Sequence, residues 1–133
     1  MLEWLWKLGW RALEGAPAQP RRKTYTAESG YVYHYFYQGH RARSSPEPAA
    51  EHVFRVSAGG RGYTPVSVLL TAAAVAAFEQ AHARPLNPTE RYAVVKLALF
   101  RAFDEHPGPA ALRGPVTVDA AEIERFAETL GLL

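Results

Sequence analysis

The chain has five histidines, His34, His40, His52, His82 and His106, and no cysteine. A transition-metal site assembled from imidazoles calls for recognisable spacings, such as two histidines four apart on one helix or a histidine paired with cysteines. No H-x-x-x-H or H-E-x-x-H pattern occurs here. The lack of cysteine removes thiolate catalysis, iron-sulfur clusters, cysteine-based zinc and disulfides from this chain. His34 and His82 fall on apolar faces, where a buried, hydrogen-bonded imidazole is the ordinary occupant. His40, followed by Arg41, is a pair that could serve an anionic ligand. The glycines of "SAGGRG" (57–62) could cradle a phosphate, but no Lys-Ser/Thr follows and no helix begins there, so the stretch reads as a hairpin turn. Asp104 and Glu105 end a helix, where carboxylates meet the negative end of the dipole; they do not form an acid–base pair. The sequence therefore assigns no catalytic, cofactor-binding or metal-binding residue, and an enzyme is not the expected class.

The least ordinary stretch is "YVYHYFYQGHRAR", residues 31–43. In a strand, alternate residues point to opposite faces. The odd set is then Tyr31, Tyr33, Tyr35, Tyr37, Gly39, Arg41 and Arg43, and the even set is Val32, His34, Phe36, Gln38 and His40. The even set is assigned to the helix-covered core, opposite Phe54, Val56, Val66, Val68 and Leu70. The tyrosines are assigned to the outer side. A phenol-bearing face needs a cover, and three suit it: the N-terminal helix folded back, a protein partner or second copy, and single-stranded nucleic acid stacked on the rings with its phosphates on arginines. The expected partner-binding residues are accordingly Trp4, Trp6, Trp10, Tyr31, Tyr33, Tyr35, Tyr37, Arg41 and Arg43.

These residues must be held by elements that the sequence also indicates. "LEWLWKLGWRALE" reads as an amphipathic helix over residues 1–14 that carries all three tryptophans, with Glu3, Lys7, Arg11 and Glu14 on its narrow polar side. Residues 15–23, with Gly15, Pro17, Pro20 and the basic Arg21-Arg22-Lys23, read as a linker. Residues 24–133 read as one domain. Its first half is strands: a short piece at Tyr25, then 31–38, "HVFRVS", and "YTPVSVLL". Its second half is mainly helices. Thr71 caps the first of these, and Asn87, Pro88 and Glu90 open a second that runs to about Glu105 with apolar residues on two sides. After the short strand "PVTV", Asp119 and Glu122 open a third, which Gly131 stops. The fold class is α+β: a mainly antiparallel meander of three or four strands, two or three helices on one face, and the Trp-rich N-terminal helix.

With 133 residues, 48% of them hydrophobic and 21% charged, the chain can fold around one core without disulfides. Residues 1–43 hold seven Lys/Arg against three Glu, for +4; the remainder carries −2. Such a basic end can attract phosphates or anionic lipid. No apolar run approaches the roughly 18 residues of a membrane-spanning helix. Glu3 and Lys7 interrupt the N-terminal apolar stretch, unlike a secretory signal, so a cytoplasmic protein is expected. The rich use of Ala, Arg, Gly and Pro suggests a bacterial, GC-rich background. The functional reading is a small accessory protein acting through protein contacts or self-association. The first alternative is a single-stranded nucleic-acid binder. Peripheral membrane contact through the tryptophan helix is compatible with either. A third class, a small-molecule or enzyme site between the sheet and the helix at 88–105, stays open.

Overall fold

Side-chain to backbone hydrogen bonds start all three helices of the computed structural model, which describes residues 12–59, 61–106, 108, 112 and 114–133. The Thr71 hydroxyl accepts from the Ala74 N–H at 3.1 Å and opens α1 (Ala72–His82). Asn87 and Glu90 form a reciprocal capping box with Pro88 in the first turn of α2 (Pro88–Glu105). The Asp119 carboxylate accepts from the Glu122 N–H at 2.8 Å and opens α3 (Ala120–Thr129). Gly131, at φ 73°, turns the chain after that helix.

Five strands make one sheet in sequential order: β1 (Lys23–Thr26), β2 (Val32–Arg43), β3 (Ala49–Ala58), β4 (Thr64–Thr71) and β5 (Val116–Val118). The first four form an antiparallel meander, as expected, whereas β5 pairs parallel to β4. The sheet is thus five-stranded and mixed, a correction to the expectation of three or four mainly antiparallel strands. The physical reason is the connection. The chain between β4 and β5 is occupied by α1 and α2, and a helical crossover of that length returns a strand in the same direction. The fold class is α+β, with three helices among the described residues. The helix expected over 1–14 falls mostly outside the described residues; at the end of that stretch, Glu14 bridges to His40 on the open edge of β2.

The larger correction concerns the tyrosines. Tyr33 and Tyr35 are 0% and 3% exposed, in the same core cluster as Phe54, Val56, Val66 and Val68. The pairing register decides this. Tyr35 stands opposite Val56 and Tyr37 opposite Phe54, so the odd residues of β2 share a face with the even residues of β3. That face meets α2, which supplies rings to match: Tyr33 lies parallel to Phe103 at 4.1 Å, and Tyr25 parallel to Phe100 at 4.3 Å. Large amphipathic rings stacked on other rings bury more area than the smaller even set would. The even residues Val32, His34 and Phe36 consequently face outward. There, the Arg55 guanidinium lies over Phe36 and Tyr63 at 4.8 and 5.4 Å.

The Tyr33 hydroxyl is buried with no hydrogen-bond partner among the described residues. Its phenol is held above its ordinary pKa, first by burial and then by Tyr31 and Asp104. A buried hydroxyl without a partner costs stability, whereas the ring beneath it contributes. Tyr33→Phe should therefore leave stability unchanged or raise it by up to about 1 kcal/mol in urea denaturation. A loss larger than that would show that the hydroxyl has a partner after all.

Candidate functional site

A cavity of about 660 Å³ opens between the β2–β3 part of the sheet and the first turn of α2, with the segment from Gly15 to Lys23 as its outer wall. A β-bulge creates it. Tyr37 pairs with Phe54, but Gly39 pairs with Val53 and His40 with His52, leaving Gln38 as the extra residue. The slip reverses the alternation, so His40 joins the tyrosine side beside His52 instead of facing outward. Gly39 has φ 115°, and a Cβ there would sit 2.5 Å from the Glu14 carbonyl oxygen. Only glycine permits the two backbone bonds, both 2.8 Å, by which Glu14 and His40 each donate an N–H to the other's carbonyl. Those bonds seat the wall. Gly15 continues it at φ 76°, its Cβ position 2.9 Å from the His40 ring.

Inside the cavity the Tyr37 hydroxyl lies 3.0 Å from His52 Nδ1 and 3.3 Å from His40 Nδ1. A phenol has one proton, so it donates to one imidazole and accepts from the other, and reversing both tautomers reverses the chain. His52 is 7% exposed. Burial, and then the proximity of His40, pushes its pKa down to about 4, so it is neutral at pH 7. Burial, with Tyr92 nearby, raises Tyr35 and Tyr37 to about 12, and burial raises Tyr92 as well. The wall phenols are therefore un-ionised. Tyr37 and Tyr92 are in tilted contact at 4.8 Å. The Lys96 ammonium lies over Tyr35, Tyr92 and Phe100 at 5.5–5.9 Å. It is held below its ordinary pKa by burial first and then by the positive charge of Lys23. Lys23, Arg21 and Arg91 stand in the lining itself. The arrangement is an apolar, aromatic chamber with a neutral hydrogen-bonding base and a cationic mouth. Among the described residues, no group of three or more His, Asp or Glu side chains is arranged to hold a metal ion.

Of the nine residues expected to form one surface, the six that are described do not gather in one place. Trp4, Trp6 and Trp10 lie outside the described residues. Tyr31 is 47% exposed at the start of β2, and Tyr33 is in the core. Tyr35 and Tyr37 line the cavity. Arg41 and Arg43 turn to the opposite face, where Arg41 Nε donates to Glu51 Oε1 at 2.8 Å and Arg43 lies 3.5 Å from Oε2. Ser67 completes that cluster, donating to Glu51 at 2.6 Å. The suggested His40–Arg41 pair is thus split between faces by alternation: the histidine enters the cavity and the arginine does not. Sequence reasoning singled out neither His52, Lys96 nor Tyr92 for the site. Gly39 within an otherwise regular strand was the available signal of a bulge. No protein-family model, curated protein sequence or solved structure matches this chain.

Proposed function

We propose that this protein binds a small molecule in the chamber between the sheet and α2. One observation carries the reading: a cavity of about 660 Å³ combines tyrosine walls with a convergent polar trio, Tyr37, His40 and His52. Ligand sites in proteins are of this size and composition, mostly apolar with a few placed polar groups. Protein contact or base stacking through the whole tyrosine ladder would require Tyr33 and Tyr35 at the surface, and both are buried. No helix among the described residues is long and apolar enough to cross a membrane.

The neutral fluorophore N-phenyl-1-naphthylamine tests the reading. We expect saturable one-to-one binding with enhanced emission, abolished by Ala50→Trp. Ala50 lines the cavity, and an indole there would fill it from the sheet side. A thermal melt of the variant checks that it remains folded. The absence of saturable binding to the wild type, or unchanged affinity in a folded Ala50→Trp, would overturn the proposal.

A further inference from the structure

We infer that the chamber takes an organic anion, a carboxylate or sulfonate carried on an apolar, ring-bearing skeleton. The inference rests on the reading of the cavity as a ligand site and names the class of ligand.

Charge is the first ground. Arg21 and Lys23 line the cavity, and Lys96 lies over two of the rings that form its wall. Among the described residues none of these three cations has a carboxylate within ion-pair distance. Lys23 is close enough to Lys96 to disfavour the charge of Lys96. A protein that crowds like charges beside an aromatic chamber without supplying a counter-ion leaves that place to an incoming group. The neighbouring acids are already engaged. Glu79 accepts from the Leu86 N–H at 2.7 Å and lies 3.5 Å from Arg91, whereas Glu90 accepts from Arg84 and the Asn87 N–H. Glu14, near the wall, is exposed.

The chamber's lining supplies the second ground. Its phenols are un-ionised and His52 is neutral, so nothing inside offers a negative charge to an organic cation. An inorganic phosphate would occupy the mouth alone and leave the walls of Tyr35, Tyr37 and Tyr92 unfilled. A ligand with an acid group at the mouth, a ring against these tyrosines, and a hydrogen-bonding atom toward the Tyr37–His52 pair uses every part of the lining.

The test compares two fluorophores with the same ring system: N-phenyl-1-naphthylamine, which is neutral, and 1-anilinonaphthalene-8-sulfonate, which carries the anion. At low ionic strength the sulfonate should bind about fivefold more tightly, the gain of about one partly exposed charge pair. Lys23→Gln combined with Arg21→Gln should remove most of that advantage by weakening the sulfonate far more than the neutral probe. Raising the salt should shrink it in the same way. Equal or tighter binding of the neutral probe to the wild type would overturn the anion inference while leaving the cavity a ligand site. If neither probe bound saturably, the cavity reading would fall and the inference with it.

Discussion

Acidifying the protein from pH 7 to pH 4 should cost the fold about 3 kcal/mol through His52 alone. In the unfolded chain this imidazole takes up its proton near the ordinary value of about 6.5, whereas in the folded protein burial holds the pKa down to about 4. Between those values the unfolded state binds the proton and the folded state does not. His52 is therefore neutral to stability above pH 6.5, and the destabilisation grows as pH falls toward 4. The buried carboxylate of Glu51, the next residue in sequence but on the other face, follows a different course. Its desolvation is outweighed by hydrogen bonds from Arg41 and Ser67 and by the charges of Arg41 and Arg43, which hold its pKa below the usual carboxylate range. The unfolded carboxylate protonates near the ordinary value of about 4.3. The stabilisation from Glu51 is thus complete above that value and lost as pH falls further, through the folded pKa. The two contributions separate in a urea-denaturation series over pH. His52→Gln, which can still bond to Tyr37, should lose the slope between pH 6.5 and 4 and keep the acid limb, whereas Glu51→Gln should do the reverse. A difference between wild type and His52→Gln that stays flat from pH 7 to 4 would show that His52 protonates as readily folded as unfolded.

The contrast between these neighbours shows which features were legible in the sequence. Helix starts were readable because they are local. Asn87-Pro88 with Glu90, and Asp119 with Glu122, carry their hydrogen-bond partners within a few residues, and each makes the expected bonds. The existence of β2 was readable from its aromatic alternation, but the buried face was not. Both parity sets carry rings, and the choice between them depends on the register with β3 and on Phe100 and Phe103 some 65 residues away. The parallel pairing of β5 with β4 is non-local in the same sense. The site was hidden by a single extra residue. Without the bulge before Gly39, His40 would pair with Glu51 and face outward on the same side as Val53, and the His40–Tyr37–His52 trio would not form. The sequence showed a glycine in a strand, but the bulge position needs the partner strand to define it.

Phe103→Ala should destabilise the fold by about 4 kcal/mol, one of the largest single-residue effects in the molecule. Its ring is fully buried and lies against Tyr33, with Tyr25, Tyr35 and Phe100 around it, so truncation removes the transfer energy of a ring and leaves a void that the surrounding aromatics are too stiff to fill. Phe36 is the matched comparison. It lies on β2 between Tyr35 and Tyr37 but points the other way, half-buried under Arg55 and Tyr63, so Phe36→Ala should cost about 1 kcal/mol, the order of a partly exposed ring with a cation–π contact. If the tyrosines faced outward and the even residues formed the core, the two costs would exchange order. Double-mutant cycles sharpen the comparison: Tyr33→Ala with Phe103→Ala should show a coupling of about 1 kcal/mol, the stacking term of a buried aromatic pair, while Phe36→Ala with Phe103→Ala should be additive, because a sheet separates them. Equal costs for Phe36→Ala and Phe103→Ala, or coupling across the sheet in place of coupling to Tyr33, would contradict the orientation of β2 on which the chamber depends, since Tyr35 and Tyr37 line it only if the odd residues face α2.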